Sequence, residues 1–406
     1  MNGKGRVPFS KLLKAIVIMI AVTFLLLLPD FYGWFAGIEG RAFDMYARLL
    51  PAKGTAGTRI VVIDIDDQSY RECFQSRSPL LPAYVVNMVN YALERGAKVV
   101  AVDIITDSEE YQRLHAETND GQSVVWAATE SPRSGDVTFR DWFLGSSRQA
   151  ILPGKALGQQ ISTDSPFRWA VPAYPYDEDL RIRRLPRYYS WYEEPDRVVS
   201  SLPRRTAMEY SLLEHRSFAN DAEEVMVAVQ SGGVERIPAK VVLSCDGAGG
   251  VEKTKYPQFF NELEIADGEP PNLRNSIVLV GGTFEESKDF HETTVGRLPG
   301  VVINANAIRA ELNGRFVHDP SKLSLFLPDI VIGSIVAFGI WYSDPRKTRT
   351  LIWTTVLAVV CLYVIAGIAL YWANILWLSW TGALIGALVG FVVQMWDDNP
   401  DLPGAH

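Results

Sequence analysis

Arg59-Ile60-Val61-Val62-Ile63-Asp64 is a short β-branched run that ends in acids, with Asp66 and Asp67 just beyond it. An unbroken apolar run of this length reads as a strand buried on both faces. Residues 82–95 follow, with Val85, Met88, Val89, Ala92 and Leu93 at helical spacing and Gly96 as a natural stop. Lys98-Val99-Val100-Ala101-Val102-Asp103 then repeats the first pattern. Strand, helix and strand make a βαβ unit, and its right-handed crossover sets the two strands parallel. The reading is therefore an α/β domain.

Further along, residues 123–128 and 276–281 read as strands, the latter ending in Gly281-Gly282. Residues 203–216 and 304–313 read as helices, and Gly314 stops the second. Residues 131–165 are rich in Ser, Gly, Pro and Arg and read as loop. Residues 225–229 and 237–243 are expected to form a hairpin around Ser231-Gly232-Gly233. The expected domain is a mostly parallel sheet with helices and one antiparallel insertion.

On either side of this domain the apolar residues concentrate. The 406-residue chain is 48% hydrophobic, with a mean hydropathy of +0.05. Residues 12–28, 323–342, 351–372 and 375–396 hold the excess, and each meets the length of roughly 20 apolar residues that a membrane helix needs. The first runs into Pro29-Asp30 without a small-residue cleavage site, which favours an uncleaved anchor over a signal peptide. Lys4, Arg6, Lys11 and Lys14 border the first span, and Arg346, Lys347 and Arg349 fill the loop between the second and third. The bias of basic residues to the cytoplasmic side orients all four spans. Residues 1–11 and 397–406 are then cytoplasmic, and residues 30–322 form an extracytoplasmic domain. Trp34, Trp341, Tyr342, Trp372, Trp377 and Trp396 fall near span ends, as interfacial aromatics do. The expected location is the cytoplasmic (inner) membrane, with several passes. Gly382, Gly386 and Gly390 share one helix face of the last span and suit close helix packing, within the bundle or in a homo-oligomer.

The remaining composition excludes several classes. A net charge of −8 argues against a nucleic-acid partner. Charged residues at 21% and aromatics at 11% exclude a disordered chain. Cys73, Cys245 and Cys361 are too few for a disulfide-dense scaffold or a four-cysteine zinc site. Cys73 and Cys245 both face an oxidising compartment under this topology; a disulfide and two separate thiols are both open.

In order along the chain, several blocks resemble the second type of CHASE domain, the extracellular sensory domain associated with cyclases and histidine kinases. They are Phe43-Asp44 with Arg48-Leu49, the run from Ile60 to Ser69, and the run from Gly96 to Ile104. Further along come Asp177-Glu178-Asp179-Leu180-Arg181-Ile182-Arg183-Arg184, then Ile277 to Gly282, Asp289, and Pro299 to Ile308. One anchor followed by three further spans is also that family's usual layout. Leu180 stands where the family usually has Gly, and Asn304 where His is common. The family commonly carries a cyclase, kinase or phosphatase output, and the ten residues 397–406 are too short to fold as one.

The candidate chemistry gathers at strand ends, where open α/β sheets receive ligands. Asp64, Asp66 and Asp103 are candidate ligand-binding groups and the candidate ligands of a divalent cation, the one cofactor considered. The plainer reading is that these acids cap the next helix or bind nearby N–H groups and Arg side chains. Asp289 and His291 are candidates for the same strand ends, as metal ligands or a pH-sensitive pair, beside the reading of an exposed loop histidine. Arg181 and Arg183, with Arg184, suit an anionic ligand or an internal ion pair with Asp64 or Asp103. Gly281-Gly282 lacks the rest of a phosphate-loop motif and reads as a tight turn.

These readings describe a membrane-anchored extracytoplasmic sensor, without catalytic residues, that binds a ligand or partner and signals through its membrane helices to a separate effector. The alternatives are an extracytoplasmic metal-dependent hydrolase using Asp64, Asp66 and Asp103, with Asp289 or His291 as further candidates, and a structural subunit of a membrane complex.

Overall fold

A computed structural model describes residues 58–105, 121–127, 168–190 except 178, 198–215, 225–226, 234–245, 260–262 and 271–313, most of residues 40–48, and residues 365 and 369. The chain divides into two compact units, one made of Met1–Tyr46 with Val317–His406 and the other of Ala47–Phe316. Among the described residues, no helix is long and apolar enough to cross a membrane. Apart from Ile365 and Ala369, which are helical, the four spans expected from the sequence lie outside the described residues. So do Gly382, Gly386 and Gly390.

The elements of the second unit run β1 (Ile60–Ile65), α1 (Asp67–Glu72), α2 (Pro82–Glu94), β2 (Val99–Asp103), β3 (Ser123–Ala127), β4 (Arg168–Ala170), β5 (Arg181–Ile182), β6 (Arg184–Leu185), β7 (Tyr188–Ser190) and β8 (Val198–Ser200). There follow α3 (Leu202–Leu213), β9 (Val225–Met226), β10 (Val234–Pro238), α4 (Ala239–Leu243), β11 (Phe260–Glu262), β12 (Ile277–Gly282), β13 (Phe290–Thr293), β14 (Gly296–Pro299) and α5 (Gly300–Asn313). Seven strands form one sheet in the order β11-β10-β1-β12-β2-β3-β4. Every pairing in it is parallel.

Both faces of this sheet are covered, which is why its strands are apolar without alternation. Ile60, Val62, Val99, Ala101, Ile277 and Leu279 pack under α3 and α5, with Leu202, Tyr210, Val301 and Ile308 in the same cluster. The intervening residues Val61, Ile63, Val100, Val102, Val278 and Val280 pack under α1, α2 and α4, with Tyr70, Val85, Val89 and Ala239. The period of two therefore divides each strand between two cores. A disulfide joins Cys73, at the end of α1, to Cys245, just beyond α4.

The βαβ reading of β1, α2 and β2 holds, but the two strands are not neighbours. Strand β12, far later in the chain, lies between them and pairs with both. The hairpin expected over residues 225–243 does not form. Val225–Met226 pairs antiparallel with Arg184–Leu185, and Val234–Pro238 joins the main sheet beside β1. Pro238 lacks an N–H to continue the ladder and instead caps α4, so the β-branched run after it turns helical. Besides β6 with β9, antiparallel pairs form between β7 and β8 and in the β13–β14 hairpin, whose β13 edge also pairs with β5.

Candidate ligand site at the strand ends

Register places Asp64, Gly281 and Asp103 in one row across β1, β12 and β2, at the carboxyl end of the sheet. All three belong to the face covered by α3 and α5. Asp64 and Asp103 are thus two strand spacings apart, about 9–10 Å. Gly281 separates them because α5 begins directly above it: a Cβ there would come within 2.7 Å of the Val301 side chain. Gly282 likewise makes room for the Phe284 ring. The twin glycines allow close packing rather than the tight turn read from the sequence.

On the β1 side, the acids are satisfied within the fold. Arg236 projects from β10 and donates from Nε to Asp64 and from Nη2 to Asp66. Thr283 Oγ1 donates to the other oxygen of Asp64 at 2.7 Å. Asp66 also caps α1 by accepting the Ser69 N–H at 2.7 Å, and Asp67 accepts the Glu285 N–H at 2.9 Å. Asp64 has no solvent exposure. Burial pushes its carboxyl up to about 6, against the pull of Arg236 and Thr283 and with the help of the Asp66 charge.

The arginine cluster also pairs internally, with partners other than Asp64 or Asp103. Buried Arg183 donates to Asp177 at 3.0 Å and takes Asp179 by a two-bond fork at 2.7 Å. Arg184 donates to Asp177 at 2.6 Å. The Arg183 hydrogen bonds hold Asp179 below its usual range, against its partial burial. Leu180 closes this turn with φ +62°, a left-handed conformation that explains why glycine suits the position.

Beyond β2 a different set converges. Asn304 lies in the second turn of α5, fully buried, and donates from Nδ2 to Asp103 at 2.8 Å. Its Oδ1 meets no donor among the described residues. Asp289, just before β13, packs its carboxylate against Gly300 at the start of α5, close enough to exclude any Cβ there. His291 bridges Asp289 at 2.7 Å and the Tyr176 hydroxyl at 2.6 Å through its two ring nitrogens. Tyr174 meets the His291 ring edge-on, with centroids 5.2 Å apart, and donates its hydroxyl to the Gly300 carbonyl at 3.0 Å. Asp103 meets no Lys or Arg among the described residues. Desolvation, then the nearby Asp289 charge, drives its carboxyl up to about 8, and the Asn304 hydrogen bond only partly offsets this. Burial and the same two carboxylates keep Tyr174 protonated well above the ordinary phenol range.

The structure therefore divides the candidates named from the sequence. Asp103, Asp289 and His291 come together, Asp64 and Asp66 form a separate cluster on Arg236, and Arg181 and Arg183 stand with Asp177 and Asp179. Sequence reasoning did not name Tyr174, Tyr176, Arg236 or Thr283 as site residues. The pair in Tyr174-Pro175-Tyr176, directly ahead of the acidic block, was the one local signal. Among the described residues, no three His, Cys, Asp or Glu side chains converge as a metal site requires.

A parallel sheet covered on both faces, with polar groups gathered beyond its strand ends, is an open α/β arrangement, the class in which strand ends are the usual place for a site. The chain belongs to the CHASE2 domain family, which matches residues 17–342. CHASE2 domains are extracellular sensory domains. Comparison with curated proteins and with solved structures finds no match.

Proposed function

We propose that the protein is a membrane-anchored extracytoplasmic sensor. Ligand occupancy of the Asp103–Asp289–His291 site biases the domain, and the membrane helices read from the sequence carry that bias to an effector protein. The observation that carries the reading is membership of an extracellular sensory family over most of the chain. The Cys73–Cys245 disulfide supports it, since such bonds persist in oxidising compartments. The site supports it too: α5 and the β13–β14 hairpin meet there, so a ligand touching Asn304, Asp289 and His291 bears on both elements at once. The hydrolase reading required Asp64, Asp66 and Asp103 around one ion, and the Arg236 pairing and the intervening β12 give it no support.

Tag accessibility on intact cells tests the proposal. A membrane-impermeant reagent should reach tags placed between residues 60 and 310, and should reach tags at either terminus only after permeabilisation. Labelling of the domain from the cytoplasmic side alone overturns the proposal.

A further inference from the structure

Among the described residues, most buried or half-buried carboxylates have a cation beside them. Asp64 and Asp66 have Arg236, Asp177 and Asp179 have Arg183, and Glu311 has Arg187 and Arg204. Glu209 has Arg205, Glu235 has Arg59, and Glu214 has Lys98. Asp103 breaks this pattern. Its hydrogen-bond partner is the neutral Asn304, and the charge acting on it is another carboxylate, Asp289. The Asn304 amide head that holds Asp103 also presents a buried carbonyl oxygen, Oδ1, without a donor. A fully buried acceptor left unmade is costly, and here it belongs to the amide that holds Asp103, one turn along α5 from Gly300, where the Asp289 carboxylate packs.

From this juxtaposition we infer that the site takes a small organic ammonium ion, held by Asp103, Asp289 and Asn304 Oδ1. A primary ammonium has three N–H donors, one for each of these acceptors. Its bonds to the two carboxylates are charge-assisted. The rings of Tyr174, Tyr176 and His291 border the carboxylates and offer faces to the ligand's carbon chain and to the cation itself. Tyr176 and the Asp289 side chain are partly exposed, so the outer edge of the site meets solvent. A hard divalent ion fits less well, since Ca²⁺ takes six to eight oxygen ligands and the neighbours here are mostly aromatic. Without the ligand, Asp103 holds a proton in the cation's place; the bound ammonium displaces that proton to solvent.

The inference rests on the sensory reading above, and its test is separate from the topology test: absence of amine binding would leave the tag result unaffected. The experiment is isothermal titration calorimetry on the intact chain in mild detergent at about pH 7, run in two buffers of different ionisation enthalpy. The probes are n-butylammonium and 1,4-diaminobutane; n-butanol and Ca²⁺ are the controls. Expected are saturable binding of the amines, none of n-butanol, and release of nearly one proton per ammonium bound, falling to none well above about pH 8. Asp103→Asn keeps the shape of the site, and Asp289→Asn alters a partly exposed group. Each should weaken amine binding at least about tenfold. Asp103→Asn should also abolish the proton release. No saturable amine binding by the parent chain, unchanged affinity in both variants, or binding of Ca²⁺ in preference to the amines would overturn the inference.

Discussion

Asp64 and Asp103 are the same residue type at the same register position, and their neighbours make them different groups. Arg236 and Thr283 surround the first with donors, whereas the second faces Asp289 and one amide. The difference has a pH signature. The unfolded value of Asp103 lies near 3.8, and its folded value is raised to about 8. Between these limits the folded chain holds a proton that the unfolded chain has released, so stability declines as pH rises across the window. The stabilising contribution is complete below the lower limit and lost above the upper one. Asp64 acts in the same direction up to about 6, so the comparison needs a variant that isolates Asp103. Asp103→Asn fixes the neutral form. Thermal unfolding at a series of pH values should show its stability advantage over the parent growing from about pH 4 to about pH 8 and then levelling. An advantage that does not change with pH would contradict this.

At the scale of elements, the site depends on how closely α5 approaches the sheet. Gly281 permits that approach, and α5 in turn delivers Asn304 to Asp103 and seats Gly300 against Asp289. Gly281→Ala would drive a methyl group into Val301, whose branched side chain cannot swing away from it. The expected cost is about 1–3 kcal/mol, read by chemical denaturation. Val301→Ala in the same chain should recover part of it. If Gly281→Ala leaves stability unchanged, α5 does not need this approach. The helices and strands themselves were largely legible from local pattern: residues 203–216 anticipated Leu202–Leu213, and residues 123–128 anticipated Ser123–Ala127. The hairpin failed because a β-branched run suits either a strand or a short helix, and Pro238 decided between them.

For the domain as a whole, the disulfide ties α1 to the segment after α4 across 172 residues of chain. Closing so long a loop restricts the unfolded chain strongly. Replacing both Cys73 and Cys245 by Ala should cost about 2–5 kcal/mol, measured by thermal unfolding with and without reductant. The parent should lose stability on reduction and the double variant should not. A parent insensitive to reductant would show that the bond contributes nothing to the folded domain.

By itself the sequence determined the core local units: residues 59–64, 98–103, 123–128 and 276–281 as strands, residues 82–95, 203–216 and 304–313 as helices, that the β1–α2–β2 crossover makes its strands parallel, and the family to which the assembled blocks belong. Each rests on periodicity or on residues close in the chain. Tertiary structure alone decided the partners. Parallel strands that are apolar on both faces carry no mark of their neighbours, so the placement of β12 between β1 and β2 could not be read locally. That one placement sets Asp64 and Asp103 apart, gives Asp64 to Arg236, and leaves Asp103 to Asp289 and Asn304. The charge state of a buried carboxylate depends on what surrounds it in space, and those surroundings come from residues up to 219 positions away.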